Sequence, residues 1–174
     1  MHSRATPCVA IIAYGNPLRS DDGIGWHAAE ILRKELDSVQ VEVVCVHQLT
    51  PDIAANLADA DGVIFLDAAQ TGEPGEIRCA RVEANESGQQ FSHSLSPGQV
   101  LALADHLYGK QPDAFMVSVA GESFDHGDAL SETLQSALPA LVRTVVGLIA
   151  RLAPRFDSSD FEARNTCVRA QLPI

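Results

Sequence analysis

Apolar residues in this chain form short runs separated by stretches in which they recur at helical spacing. Five segments predict β-strands, the fourth of them as a turn followed by a strand: 8–14, 40–46, 62–68, 72–83 and 114–121. The first is apolar with no alternation of polar residues, which favours a central strand covered on both faces. The fourth mixes Ile77, Cys79 and Val82 with polar and charged residues, which favours an edge strand.

Between these strands the apolar spacing predicts amphipathic helices. We predict them over 22–36, over a short stretch after Thr50, over 96–109 and from 131 to about 152. Thr50 is expected to cap the second helix, with Pro51 at its first position. The Ser96-Pro97 start and the Gly109 stop bound the third.

Alternation of strands and helices predicts an α/β fold. We expect a three-layer sandwich around a twisted, mostly parallel five-stranded sheet with one antiparallel edge strand. The length of 174 residues fits a single domain, 1–153. Residues 154–174 show no sustained periodicity and are expected to form a C-terminal tail of unassigned role.

Charge and cysteine content narrow the class of protein. The formal net charge of −11 argues against nucleic-acid binding, which needs a cationic face, and fits solubility or a basic protein partner. No stretch approaches the roughly 20 apolar residues of a membrane span. The four widely spaced cysteines favour small buried hydrophobes, and the N-terminus lacks a signal-peptide pattern, so we expect a cytoplasmic protein.

Polar residues collect where the predicted strands end. Ligands of an open parallel sheet bind outside the carboxyl ends of its strands. The residues expected there, in chain order, are Asn16, Asp21-Asp22, His47-Gln48, Asp67, His93 and Gly121-Glu122-Ser123. Carboxylates together with an imidazole predict an incomplete metal shell, which suits zinc, nickel, manganese or iron without choosing among them.

The acidic residues and His93 each also have a structural interpretation. Asp21 and Asp22 would favour the positive end of a helix dipole, Asp67 would cap a turn, and His93 would be a solvated loop residue. Other chemistries lack their motifs. The chain has no G-x-S-x-G nucleophile elbow, and "GNPLRSDDGIG" departs from the dinucleotide pattern G-x-G-x-x-G.

Four segments together resemble a known family. They are "GNPLRSDDGIG" after the first strand, "FLDAAQTGEPGEI" around the third, "SHSLSPGQVLALA" opening a helix and "VSVAGESFDHGDALS" after the next strand. In this order and spacing they are similar to the hydrogenase maturation endopeptidases, over residues from about 8 to 152. The resemblance implies an endopeptidase that removes a C-terminal peptide from the large-subunit precursor of a nickel-iron hydrogenase, after nickel has been inserted.

The resemblance also implies roles for particular residues. It assigns metal contacts to Asp22, Asp67 and His93, and a catalytic role to the two acids. The region of His47 and Gln48 is expected to border the substrate groove, and Asn16 is predicted to contact substrate. Nickel is expected to come with the bound precursor, and other divalent metals are expected to fit the same site. Many family members carry Glu where this chain has Asp22, which is one methylene shorter, so we expect either a loop closer to the metal or a different ligand geometry there.

Two other functions stay open at this stage. The first is a non-enzymatic metal- or nucleotide-binding accessory or chaperone module, because the same architecture hosts many functions. The second is a general hydrolase that uses the same three metal contacts. The expected partner is the hydrogenase precursor, bound by a monomer of this chain. How the peptide bond is broken is open too, since either a metal or one of the two acids would activate water.

Overall fold

The structure, a computed structural model, describes residues 9–36, 40–85 and 94–153. Five strands and four helices alternate along them, with a 3₁₀ turn at Ser20–Gly23 before the first helix. The strands are β1 (Val9–Tyr14), β2 (Val41–Val46), β3 (Gly62–Ala69), β4 (Ile77–Val82) and β5 (Asp113–Ala120). The helices are α1 (Ile24–Glu35), α2 (Ile53–Ala58), α3 (Pro97–Tyr108) and α4 (Glu132–Leu152).

The strands form one sheet in the order β2-β1-β3-β5-β4. The first four strands of that order are parallel, and β4 pairs antiparallel with β5 at the edge. Helices α1 and α4 cover one face of the sheet, whereas α2 and α3 cover the other. The predicted three-layer α/β sandwich with one antiparallel edge strand is therefore confirmed.

Burial of β1 on both faces explains its uninterrupted apolar sequence. Ile11 packs into the core beneath α1 and α4, and Ile12 into the core beneath α2 and α3, both with no exposed surface. Burying such a side chain contributes about 1.5–3 kcal/mol. The strand is thus fixed in the middle of the sheet, and the residues after Tyr14 emerge at its carboxyl edge.

Side-chain caps fix the starts of α3 and α4, and the predicted start and stop of α3 are confirmed. Ser96 and Gln99 form a reciprocal capping box at the start of α3, and Gly109 ends that helix at φ 64°. The Ser131 hydroxyl accepts from the Leu134 amide at the start of α4.

The predicted start of α2 was wrong. Helix α2 begins at Ile53, because Thr50 and Pro51 form a tight turn whose carbonyls accept from the Ile53 and Ala54 amides at 3.1 and 3.2 Å. Thr50 is therefore not its cap. The turn followed by a strand that was predicted for 72–83 is confirmed, because β4 begins at Ile77 after a turn in which Gly72 and Gly75 have positive φ.

Helix α4 is, within the described ranges, the one helix long and apolar enough to cross a membrane by length and composition. Its apolar stripe packs against the sheet, where Leu134, Leu141, Val145 and Ile149 are buried. This is the packing of a core helix. The predicted tail, 154–174, lies outside the described residues.

Candidate active site at the carboxyl edge of the sheet

A glycine loop, residues 15–23, connects β1 to α1 and returns over the carboxyl end of β1. Gly15 starts it at φ +124°, a conformation that residues with a Cβ rarely adopt. A Cβ at this position would overlap the backbone carbonyl oxygen of Asp22. The absence of a side chain at Gly15 therefore lets Asp22 lie directly above the end of the central strand.

The Asp22 carboxylate is held by the loop's own backbone. Its Oδ2 accepts from the Asn16 amide at 2.7 Å, and its backbone amide donates to the Arg19 carbonyl at 3.1 Å. The Asn16 side chain is engaged in the same loop, where its Oδ1 accepts from the Leu18 amide at 3.0 Å. Asp22 is half-buried, so its carboxylate is fixed in direction and still reachable from solvent.

Asp67 lies in β3, two residues before the strand ends. Ala13 pairs with Leu66 across the parallel β1–β3 ladder, so the next residue of each strand, Tyr14 and Asp67, are neighbours on one face. The Asp67 Oδ1 accepts from the Ala68 amide at 2.8 Å. Helix α1 also comes close here, because a Cβ on Gly25 would lie 3.1 Å from the Leu66 carbonyl oxygen.

The environment of Asp67 disfavours its charge. Burial raises the pKa of its carboxyl to about 7; the Ala68 amide opposes this shift, the Asp22 charge adds to it, and the Tyr14 hydroxyl opposes it. A carboxyl with a pKa near neutrality suits a general acid or base, and the effect of Asp22 on it indicates that the two acids are close. The sequence-predicted pair is thus brought together at the rim.

Tyr14 is a member of this site that sequence reasoning missed. Its hydroxyl lies beside Asp67 and 3.7 Å from the Met116 Sδ, a weak acceptor. Burial and the Asp67 charge raise the pKa of Tyr14 above its ordinary value, so the hydroxyl keeps its proton. The available signal was parity along the strand, since Tyr14 is the last residue of β1 and points to the same face as Asp67.

The two acids fit a cation, although the full predicted ligand set is not described. Within 9–36, 40–85 and 94–153, no group of three or more His, Cys, Asp or Glu residues is placed to hold a metal ion. The third predicted ligand, His93, lies outside these residues. A cation between Asp22 and Asp67 would offset their mutual repulsion and keep Asp67 ionised.

His47 and Gln48 follow β2 and are exposed at the same edge of the sheet. The His47 ring meets the Trp26 ring edge to face, with centroids 5.3 Å apart and planes at 83°. The Trp26 Nε1 donates to the Gly15 carbonyl at 3.0 Å. Trp26, which sequence reasoning also missed, therefore connects the end of β2 to the glycine loop.

Asp21 has a different role from its neighbour Asp22. Among the described residues it is the one charged side chain that is fully buried. Its Oδ2 accepts from the Glu122 and Ser123 amides at 2.8 and 2.9 Å and from the Ser131 hydroxyl at 2.9 Å, while its Oδ1 accepts from the Ser131 amide at 2.8 Å. The sequence suggested only a favourable helix-dipole position.

These hydrogen bonds decide the charge state of Asp21. Burial alone would raise its pKa, but the donors from Ser123, Ser131 and Glu122 outweigh burial and hold the pKa below its usual range. Asp21 is therefore an ionised, fully satisfied internal carboxylate. With its oxygens already used, it is poorly suited to bind a metal or a substrate.

Comparison with known proteins gives structural matches alone, since no family model and no curated protein sequence matches the chain. The hydrogenase-maturating endopeptidase HybD from E. coli superposes with a TM-score of 0.70 at 21% identity, covering 83% of this chain and 93% of that protein. The [NiFe] hydrogenase maturation protease HycI from Thermococcus kodakarensis superposes with a TM-score of 0.67 at 24% identity, covering 86% and 94%.

A third structure extends the similarity to another lineage. The hydrogenase 2 maturation peptidase from Thaumarchaeota archaeon SCGC_AB-539-E09 has a TM-score of 0.62 at 23% identity, covering 81% of this chain and 97% of that protein. In each case the match covers nearly the whole of the neighbouring protein. The chain therefore has the α/β fold of the hydrogenase maturation endopeptidases.

Proposed function

We propose that this protein is a hydrogenase maturation endopeptidase that removes a C-terminal peptide from the large-subunit precursor of a nickel-iron hydrogenase. The observation that carries the proposal is the convergence of Asp22 and Asp67 at the carboxyl edge of a sheet whose fold is that of proteases named for this task. Both of these proteins are named as hydrogenase maturation proteases, and the four sequence segments support the same assignment independently of the fold.

The two acids have complementary properties for peptide hydrolysis. Asp22 is held in one orientation and remains accessible, which suits a contact to a cation or to substrate. Asp67 has a pKa near 7, so near neutral pH it is able to accept a proton from a water that attacks the scissile carbonyl. The neighbouring Tyr14 hydroxyl provides a donor on the same face.

Nickel in this proposal belongs to the substrate and arrives with the precursor. Two carboxylates and His93 offer oxygen and nitrogen donors, which suit nickel and also zinc, manganese or iron. Bound nickel would supply an anchor and a Lewis acid. An unloaded precursor lacks that anchor and would be spared, which makes cleavage follow metal insertion.

The alternative functions have less support. A nucleotide-binding module would use backbone amides of the glycine loop, but Pro17 lacks one and the Asn16 and Asp22 amides are already bonded within the protein. A general hydrolase has no specific observation in its favour. A cytoplasmic location and a monomeric state stay predictions.

The test is the intact mass of a hydrogenase large-subunit precursor after incubation with the protein, once nickel-loaded and once nickel-free. We expect loss of a single C-terminal peptide from the loaded precursor only. We expect no cleavage by the Asp67→Ala and Asp22→Ala variants. Asp61 is an exposed acid at the opposite end of β3, so the Asp61→Ala variant should cleave like the wild type.

Three outcomes would contradict parts of the proposal. Equal cleavage of loaded and empty precursor would overturn nickel as the recognition element. Full activity of Asp67→Ala would overturn the catalytic assignment. No mass change with several precursors, together with tight binding of a nucleotide, would favour the accessory module.

A further inference from the structure

Two loops lie side by side at the carboxyl edge, and hydrogen bonds connect their backbones. They are the glycine loop and the β5–α4 loop, residues 121–131. The Ser20 amide donates to the Gly127 carbonyl at 2.8 Å, and the Gly127 amide donates to the Leu18 carbonyl at 3.1 Å. The Asp21 amide donates to the Ser123 carbonyl at 3.0 Å. The two loops, which are far apart in sequence, are thus joined by a short ladder of backbone hydrogen bonds.

The Asp21 carboxylate strengthens this junction from inside. All four of its hydrogen bonds come from the β5–α4 loop, three from backbone amides and one from the Ser131 hydroxyl. Hydrogen bonds to a charged acceptor are stronger than neutral ones, and leaving such donors unpaired in a buried place is costly. Asp21 therefore ties the β5–α4 loop to the glycine loop at a point that water does not reach.

The same junction connects the two acids of the proposed site. On one side Asp21 is bonded along the chain to Asp22. On the other side the β5–α4 loop begins at Gly121, whose amide donates to the Ala69 carbonyl at 2.9 Å, two residues beyond Asp67 in β3. Hydrogen bonds at both ends of the short backbone segment from Gly121 to Ser123 therefore connect the segment that carries Asp22 to the strand that carries Asp67.

We propose that Asp21 is a positioning residue that fixes the Asp22 carboxylate relative to Asp67 by joining the glycine loop to the β5–α4 loop. The role in cleavage rests on the function proposed above, but the placement of the loops does not. Asp21 touches neither substrate nor metal. It acts through Asp22.

Asp21→Asn tests the role with almost no change of side-chain volume. Whichever way the amide is turned, its NH₂ group replaces an oxygen that now accepts at least one backbone N–H, so two donors face each other. With the NH₂ at the Oδ1 position the opposed donor is the Ser131 amide, and in the other orientation the Glu122 and Ser123 amides are affected. The junction should loosen while the strands stay paired.

We expect Asp21→Asn to lower kcat/KM for cleavage of the nickel-loaded precursor by about tenfold or more, because small misplacements of catalytic groups carry losses of this size. Ser131→Ala removes one of the four bonds, together with the side-chain cap of α4, and should give a smaller loss. Ser131→Thr keeps the hydroxyl and should restore wild-type activity. Because the Ser131 variants change the hydrogen bonds and not the charge of Asp21, they distinguish a positioning role from a simple requirement for negative charge.

Two controls separate positioning from general instability or lost charge. Asp128→Asn removes an exposed carboxylate from the same loop and should leave kcat/KM unchanged. Ile149 is buried in α4, near the end of that helix away from the site. Whichever of Ile149→Val and Ile149→Ala has the melting temperature closer to that of Asp21→Asn serves as the stability-matched variant. Both are assayed well below that temperature.

Amide hydrogen exchange gives a readout that needs no substrate. In Asp21→Asn the Glu122, Ser123 and Ser131 amides should exchange faster than in the stability-matched Ile149 variant, whereas the β1 and β3 amides should not differ between the two.

Each outcome decides one claim. A kcat/KM for Asp21→Asn within twofold of the Ile149 variant, with wild-type protein active, would overturn the positioning role. If wild-type protein cleaves no precursor, the proposed function fails, and unchanged exchange at the three amides would then overturn the placement claim too. Should Asp21→Asn fail to fold, the comparison of Ser131→Ala with Ser131→Thr decides, because equal activities would overturn the role.

Discussion

At the scale of single residues, the environment that gives Asp67 a pKa suited to proton transfer also makes its ionised form destabilising. Asp67 is held in a place that burial and the nearby Asp22 make unfavourable for a negative charge. A pKa raised above the unfolded value means that the native state holds the proton more tightly than the unfolded chain does. This contribution to stability is fully present below the unfolded pKa of about 4 and is lost as the pH rises through about 7.

Replacing Asp67 by Asn should therefore stabilise the protein at neutral pH while abolishing cleavage. The neutral amide keeps the Oδ1 acceptor for the Ala68 amide and removes the buried charge. One pKa unit is worth about 1.4 kcal/mol, and since Asp67 is partly exposed we expect a gain of about 1–3 kcal/mol at pH 7.5. Urea unfolding of wild type and variant at pH 7.5 and pH 5 measures it.

The difference between the two proteins should shrink at pH 5, where the wild-type carboxyl is already protonated. Asp61→Asn serves as the control, because Asp61 is exposed and its ion pair with Lys110 spans 3.7 Å. Surface pairs of this kind contribute about 0–1 kcal/mol. A destabilised Asp67→Asn variant at pH 7.5 would show that Asp67 is held by interactions that require its charge.

Gly15→Ala should disrupt the glycine loop. The new Cβ would meet the Asp22 carbonyl oxygen, and the φ of +124° is unfavourable for alanine. We expect a loss of about 2–4 kcal/mol in the free energy of unfolding, together with loss of cleavage.

Gly109→Ala is the matched control for this prediction. Gly109 also has a positive φ, 64°, but a Cβ there meets nothing within 4 Å. Its expected cost is that of the left-handed conformation alone, about 1–2 kcal/mol. Equal costs at the two positions would show that the contact with Asp22 is unimportant.

At the scale of the elements, the helices and strands were more predictable from the sequence than the residues of the site. All five strands and four helices were predicted, because their apolar periodicity and their caps are local properties of the chain. The wrong boundary, at the start of α2, lies where a turn competes with the helix. Ser96 and Ser131 show why the helix starts were predictable, since a cap uses donors within three residues.

Helix α4 contains a position where stability is open to improvement. Gly147 is exposed in the helix interior, and a Cβ there meets nothing within 4 Å. Gly147→Ala should raise the free energy of unfolding by about 0.5–1 kcal/mol, because glycine loses more backbone entropy than alanine in a helix. Thermal unfolding measures the gain, and cleavage should be unchanged. A lower melting temperature would indicate that this surface of α4 packs against something.

At the scale of the whole molecule, the features that the sequence did not predict depend on contacts between residues far apart in the chain. Nothing local in "SDDG" distinguishes Asp21 from Asp22, since the partners of Asp21 lie about a hundred positions later in the chain. Tyr14 joined the site only once β1 was paired with β3. The rim position of Asp22 and Asp67 was predictable, because parallel strands end at one edge and each acid follows or ends an apolar run.

Asp21 and Asp67 also shape the pH dependence of the entire fold, in opposite directions. The lowered pKa of Asp21 contributes stability that is present above its unfolded pKa and is lost as the pH falls through the lower native value. The contribution of Asp67 declines between about pH 4 and pH 7, so from these two groups we expect maximal stability near pH 4 and a decrease towards pH 7. Urea midpoints from pH 3 to 8 test this, and a midpoint that rises continuously up to pH 8 would contradict it. Asp21→Asn should flatten the acid limb.

The placement of Trp26 gives the molecule a built-in optical probe. It is the single tryptophan of the chain, and its indole bridges the Gly15 carbonyl and the His47 ring at the carboxyl edge. Indole emission depends on nearby dipoles and on access of water, so all of the protein's tryptophan fluorescence originates beside the proposed site. Arrival of a precursor, or loosening of the glycine loop, should therefore be visible in real time without any attached dye.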